Sequence, residues 1–421
     1  MVFSFCMLAP DLIPVWSGIG SYAFSLLNRL PDDIEVHVLT TRRKISGSKG
    51  ASDLSDQQIQ NLFSPNIKLH FLSSAENTFS YHLKFQFACL RELPKLNKKH
   101  NFAFVHSNFP LMSEIFLHLL RRQKTPFLST IHTTIEGQHE AVKISQKPIL
   151  NMEQSDLGNL FLLPALHLAE NICLKNSTKL IATSSYIRSE LLSHFPFLRQ
   201  HEIPVIHNGI DDKLFSKKET PNLKLVNVEE DIDLNRSVVL FTGRLVASKG
   251  INVLIQAIPS VLKEVSDALF LFAGGGNSAD YINLLQRKNV SDESYRFLGY
   301  VPDYLNMPDL YSLADVYVMP TLYESFPLRL LESLACENAV VASNVCGVPE
   351  VIKPMENGIL VPPGKPDAVA DGIITFLQDD KLRLSAGKNA RQTIRDGFSA
   401  DVMASKTLAV YEQLFSLGAN S

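Results

Sequence analysis

Val238-Val-Leu-Phe-Thr-Gly-Arg-Leu-Val-Ala-Ser-Lys-Gly250 reads as a buried strand, a glycine-bounded loop with two cations, and the threshold of an amphipathic helix. An apolar run without polar alternation marks a strand covered on both faces, the condition of a parallel sheet. A loop leaving the carboxyl end of such a strand is where open α/β sheets hold ligands. Arg244 can grip phosphate oxygens through its planar fork. Lys249 adds a compact positive charge at a helix start, where the helix dipole also attracts anions. The stretch predicts a doubly wound α/β unit with a site for a diphosphate.

Further apolar runs follow at residues 268–273, 316–319, 339–342 and 359–361, which extends one parallel sheet. Upstream, runs at 2–8, 34–40, 102–106, 127–131 and 179–183 alternate with helical periodicity at 22–30, 80–93 and 160–174, which predicts a second sheet of the same kind. Residues 214–236 are polar and weakly periodic, so they read as surface structure beyond a hinge near Asn208. The 421 residues suit two or three domains.

Composition excludes several classes. No stretch approaches the roughly 20 apolar residues of a membrane span. The first ten residues lack a basic region and read as a strand, so a cytoplasmic protein is expected. Five cysteines with no Cys-x-x-Cys spacing argue against a disulfide framework or a zinc site. Residues 1–207 carry 20 Lys and Arg against 16 Asp and Glu, and the remainder 20 against 27. The basic clusters of the front half, at 42–44 with Lys49, 95–99 and 121–124, suit anionic lipid headgroups, peripheral at the inner face of a membrane, or an acidic acceptor. Solvated loops and helix ends explain them equally well. No nucleic-acid partner is expected.

Chemistry concentrates in a few places. Glu324 and Glu332 lie in Pro320-Thr-Leu-Tyr-Glu-Ser-Phe-Pro-Leu-Arg-Leu-Leu-Glu-Ser-Leu-Ala-Cys336, the first in a loop at a strand's carboxyl end, the second inside a helix among leucines. A carboxylate in apolar company is costly unless paired, and a ribose or hexose hydroxyl is the expected partner, a structural N–H or Arg the alternative. In Trp16-Ser-Gly-Ile-Gly-Ser-Tyr22, Gly18 and Gly20 let backbone approach a ligand at a helix start. With Ala23 this matches Gly-x-Gly-x-x-Ala. The long strand-to-glycine spacing and Thr40-Thr41 in place of an acid disfavour a dehydrogenase. His132 ends a central strand of the front domain, where a histidine can line a reaction centre. Asp231-Ile-Asp233 could hold a divalent cation but reads as a solvated acidic loop.

With Val205-Ile-His-Asn-Gly-Ile-Asp211, Gly347-Val-Pro-Glu350 and Asn357-Gly-Ile-Leu-Val-Pro362 added to these motifs, the chain resembles a retaining family 4 glycosyltransferase of the GT-B fold over nearly its whole length. The resemblance implies two Rossmann-like domains facing an inter-domain cleft. An acceptor-binding domain would span 1–207 and a nucleotide-sugar-binding domain 208–396, with a final segment 397–421 whose helix crosses back to the first domain. By the resemblance Arg244 and Lys249 bind the donor diphosphate, Glu332 the ribose, and Glu324 the transferred sugar. Phe326 and Leu328 complete the donor site, His132 lines the sugar site, and Gly18 and Gly20 approach phosphate or acceptor. The implied reaction moves a hexosyl unit from a nucleoside diphosphate sugar to a hydroxyl of a glycan, glycolipid or small molecule, without cofactor or metal. A sugar-nucleotide epimerase and a non-catalytic nucleotide-sugar-binding protein are the alternatives. Ser17, Pro327 and Glu337-Asn338-Ala339 depart from the family pattern, which has glycine at the first two positions and Gly-x-Pro at the third.

Overall fold

The computed structural model describes residues 3–12, 17–43, 55–75, 78–120, 125–145, 161–228, 232–301 and 303–419. The chain forms two compact units, one of Met1–His139, Pro148–Gly209 and Ala400–Ser421, the other of Glu140–Lys147 and Ile210–Ser399.

The first unit is built on β1 (Phe3–Leu8), β2 (Ile34–Arg43), β3 (Ile67–Ala75), β4 (Val105–Ser107), β5 (Phe127–Ile131) and β6 (Lys179–Ala182). The second is built on β7 (Val238–Thr242), β8 (Leu269–Ala273), β9 (Tyr295–Gly299), β10 (Val316–Met319), β11 (Ala339–Ser343) and β12 (Ile359–Val361). Their spatial orders are β3-β2-β1-β4-β5-β6 and β12-β11-β10-β7-β8-β9, with every pair parallel. Counted within its own unit, each sheet has the doubly wound order 3-2-1-4-5-6. The winding reverses between β1 and β4, and again between β7 and β10, and ligands of such sheets bind beyond the carboxyl ends at that reversal.

Burial explains the elements. All five residues of β7, β8 and β11 are buried, as are all four of β10. Over the second sheet lies the helix Ile251–Glu264, whose Ile251, Leu254, Ile255, Ile258 and Val261 recur at helical spacing on one buried face. In the first unit Phe5, Phe104 and Tyr411 pack ring to ring at 4.8–5.0 Å. Each such burial stabilises by about 2–3 kcal/mol. Tyr411 comes from the helix Ala400–Ala419, which gives Met403, Ala404, Val410 and Leu414 to the same core.

Two strands escaped the sequence reading, β3 and β9. Both are edge strands, and β3 alternates apolar Ile67, Leu69 and Phe71 with polar Lys68 and His70, so neither presents the continuous apolar run of a central parallel strand. The helix Gly18–Leu27 starts four residues before its apolar period does, because Ser17 caps it and accepts the Gly20 N–H at 3.0 Å. The helix Thr78–His100 continues seven residues past the expected end, through Pro94.

No helix among the described residues is long and apolar enough to cross a membrane. The five cysteines are free, four of them buried. Of the basic clusters, Lys44, Lys49 and 121–124 lie outside the described residues. Lys98 and Lys99 occupy a helix's last turn, where the dipole favours cations, and Lys95 stands 3.2 Å from Glu92.

Candidate functional site

In the second unit the loops that leave β7 and β10, neighbouring strands at the winding reversal, are bound to each other. Ser248 O accepts the Leu322 N–H at 2.9 Å and the Thr321 hydroxyl at 3.1 Å. The loops cross at Gly250, whose φ of +73° is left-handed and whose Cβ, were there one, would stand 1.7 Å from Pro320 O. Only glycine satisfies both conditions. A similar crossing joins the β7 and β8 loops, since a Cβ on Gly274 (φ +152°) would meet Gly243 O at 1.7 Å. Sequence reasoning had not singled out Gly274-Gly-Gly276, although a glycine triplet directly after an apolar strand is a visible signal of close backbone approach.

Through this crossing Lys249 Nζ donates to Glu324 Oε2 at 2.5 Å, with the side chains 29% and 22% exposed. Two sequence-nominated residues 75 positions apart thus form a half-buried ion pair at the carboxyl ends of β7 and β10. Lys249 has three N–H donors and Glu324 uses one oxygen in this bond, which leaves capacity for a ligand on both partners. Arg244 is exposed in the same β7 loop, pinned on either side by Gly243 N–H to Ala273 O and Leu245 N–H to Gly275 O, both 2.9 Å. The β11 loop joins in, with Gly347 N–H directed at Glu324 O at 3.4 Å.

Glu332 is placed differently. It is 1% exposed, and its two oxygens accept the Tyr304 hydroxyl at 3.0 Å and the Tyr311 hydroxyl at 2.7 Å, with Arg329 at 3.6 Å. Burial raises its pKa, while Arg329 and the two tyrosines hold it down in part. The cost of its burial is met by protein groups, so burial by itself gives no argument for a ribose hydroxyl. The chain of hydroxyls continues from Tyr311 to Thr242 at 3.2 Å and from Thr242 to Tyr317 at 2.9 Å. Phe326 and Leu328 are also buried, 6% and 9% exposed, with the Phe326 ring stacked on Phe398. Pro327 sits at the N-cap of the helix Leu328–Ala335 with φ −91°, ahead of the helical residues, where its missing N–H costs the helix no hydrogen bond.

In the first unit the corresponding reversal, β1 against β4, holds the glycine loop and His132. Asn108, which follows β4, donates through Nδ2 to Ile19 O at 3.1 Å and meets His132 Nε2 with Oδ1 at 3.0 Å. Since Oδ1 can only accept, His132 carries its proton on Nε2, and Nδ1 keeps the lone pair. Burial lowers the His132 pKa, so the ring is neutral, and Tyr22 packs edge-on against it at 4.7 Å. Asn108 was missed because nothing in its spacing shows that one amide joins two motifs. Gly20 gives its N–H to Ser17, and that amide is therefore spent on the helix cap. Trp16 and Asp231 lie outside the described residues; Asp233 accepts from the backbone and side chain of Asn235, as a turn aspartate does.

Comparison with known proteins agrees with this architecture. Residues 16–214 match the family model described as Glycosyltransferase Family 4, and residues 226–393 the one described as Glycosyl transferases group 1. An uncharacterised glycosyltransferase of Methanocaldococcus jannaschii is 34% identical over 256 residues, 59% of this chain and 63% of that protein, so the match spans a little under two thirds of the relative's length. The sucrose-phosphate synthase of Thermosynechococcus elongatus superposes with a TM-score of 0.76 over 99% of this chain and 100% of its own, at 22% identity. HepE of Anabaena, solved in complex with UDP-glucose, superposes with a TM-score of 0.69 over 98% and 100%, at 17% identity.

Proposed function

We infer that this chain, which belongs to the glycosyltransferases of family 4 and group 1 and has their GT-B fold, moves a hexosyl unit from a nucleoside diphosphate sugar to an acceptor hydroxyl with retained configuration. The observation that carries this reading is the Lys249–Glu324 pair at the winding reversal of the second sheet. A diphosphate placed there meets Lys249 and Arg244, a point charge and a planar fork. Glu324, tied to Lys249, offers its remaining acceptor capacity to a sugar hydroxyl. HepE, of the same fold, binds UDP-glucose.

The chemistry follows from the charges. Glycosidic cleavage puts negative charge on the departing diphosphate, and fixed cations aimed at that charge lower the barrier without reorganising. Arg244 and Lys249 supply this counter-charge in place of a metal. A carboxylate held by a lysine at 2.5 Å is a poor nucleophile, which disfavours a covalent enzyme intermediate on Glu324. Front-face substitution, with the leaving phosphate oxygen taking the acceptor's proton, accounts for retention. Neutral His132, its Nε2–H held by Asn108, has Nδ1 to accept from a hydroxyl.

The test is turnover of a panel of UDP, GDP and ADP sugars with glycan, glycolipid and small-molecule acceptors in excess EDTA, following free nucleoside diphosphate and product anomeric configuration by NMR. Acceptor-dependent release of diphosphate and a retained anomer are expected. Sugar interconversion without an acceptor would mark an epimerase, and donor binding without turnover a binding protein. Activity lost in EDTA and restored by Mg²⁺ would contradict the role given to Arg244 and Lys249.

A further inference from the structure

Far along the chain from the donor loops, the first unit gathers three histidines and a glutamate. Glu35 and His37 are two apart on β2 and therefore share a face of the sheet. His70 comes from the neighbouring β3, and His100 is the last residue of the helix Thr78–His100. Ligating atoms of Glu35, His37 and His100 all lie within 4.8 Å of one another. His37 Nε2 stands 3.5 Å from Glu35 Oε1, and His100 Nδ1 stands 4.0 Å from Glu35 Oε2. The His37 and His100 rings are 3.9 Å apart.

We propose that Glu35, His37 and His100 bind a divalent transition-metal ion of the zinc class, with His70 orienting His37. His37 is 3% exposed, and its buried Nε2 makes no hydrogen bond. Its Nδ1 lies 2.9 Å from His70 Nε2. With the Nδ1 proton given to His70, the Nε2 lone pair faces Glu35 and His100, which is how a second imidazole nitrogen usually fixes a metal-ligating histidine. Two imidazoles and a carboxylate suit zinc, cobalt or nickel. Ligand atoms about 2.0–2.1 Å from a tetrahedral ion stand roughly 3.4 Å apart, so the present separations need only small side-chain rotations. His100 also ends a helix, where the exposed carbonyls favour a cation. Glu35 and His37 lie in the amino-terminal half of β2, whereas the glycine loop and His132 follow the carboxyl ends of β1 and β5. The ion is therefore a staple between sheet and helix, not part of the transfer chemistry.

The test uses the full chain, stripped with a chelator, dialysed and titrated with Co²⁺ followed by Zn²⁺. One Co²⁺ per chain with the visible bands of a four-coordinate site, displaced by Zn²⁺, is expected, together with a higher thermal midpoint in Zn²⁺. Glu35→Ala and His100→Ala, at positions with side chains 46% and 20% exposed, should each weaken binding at least tenfold. His201→Gln, at an exposed position elsewhere, should not. If either ligand variant fails to fold, the other decides. Binding far below one ion per chain, or equal binding by wild type and the ligand variants, overturns the proposal and leaves only an adventitious ion on surface histidines.

Discussion

Gly250→Ala should damage the proposed donor site through geometry alone. Holding alanine at φ +73° costs about 1–2 kcal/mol. Its methyl group would also stand 1.7 Å from Pro320 O and 2.5 Å from Pro320 C, both backbone atoms of the facing loop. The loops must separate by more than an ångström, which stretches the two bonds to Ser248 O, each worth about 1 kcal/mol. The total is about 3–4 kcal/mol, survivable for a domain of ordinary stability. Gly299 provides the control, because its φ of +70° is nearly the same while nothing lies within 4 Å of its missing Cβ. Gly299→Ala should cost only the conformational 1–2 kcal/mol. Urea denaturation of both variants isolates the crossing as the difference, about 2 kcal/mol. Because separating the loops also pulls Lys249 away from Glu324, Gly250→Ala should lose at least tenfold in kcat/KM while Gly299→Ala keeps it. Equal stability and equal turnover of the two variants would refute the reasoning.

Glu324→Gln removes the anion beside Lys249, so affinity for the bare nucleoside diphosphate should stay level or tighten while kcat falls at least tenfold; calorimetry and steady-state kinetics showing weaker binding with kcat intact would contradict this. Glu332→Gln leaves Arg329 without its partner and turns an amide N–H toward a tyrosine hydroxyl, so the ligand-free protein should lose about 1–3 kcal/mol in urea denaturation. An unchanged midpoint with weakened nucleotide binding would return Glu332 to a ligand role. Glu170, 5% exposed, accepts the Ile135 N–H at 3.1 Å, and burial raises its pKa from 4.5 to about 7. A raised carboxyl pKa gives stability that is complete below about 4.5 and lost as the pH rises to about 7, up to about 3 kcal/mol. Unfolding midpoints at pH 5 and 8.5 should show that loss in the wild type and a smaller one in Glu170→Gln; parallel profiles would rule the effect out.

Ten of the twelve strands were legible because each lies in a mostly apolar run, which follows from cover on both faces in the eight central strands and is short in the edge strands β6 and β12. β3 and β9, also at edges, were not, because Lys68, His70 and Arg296 interrupt their apolar runs. The meeting of Lys249 with Glu324 was half legible. Each sits just after an apolar run, but that β7 and β10 are neighbours depends on sheet order, which the runs do not carry. Partners of buried polar groups were the least legible part. Tyr304 and Tyr311 lie 28 and 21 positions before Glu332, and no periodicity shows that their hydroxyls converge on it. Glu337 illustrates the opposite case. The family pattern has glycine there, and the structure shows φ +62°, a left-handed position that glutamate occupies under strain beside Arg391 at 3.6 Å.

The central claim is that the β7 loop holds a donor's diphosphate. It is tested most directly by calorimetric titration of UDP, GDP and ADP into the wild-type chain and Lys249→Met. Methionine keeps the unbranched apolar stem, one atom shorter, and loses the charge, and Glu324, 22% exposed, can take water in its place. The account predicts that one nucleoside diphosphate binds the wild type and binds Lys249→Met at least tenfold more weakly, with the ligand-free thermal midpoint little changed. Equal affinity in the two proteins, or no binding of any of the three by the wild type, would contradict it.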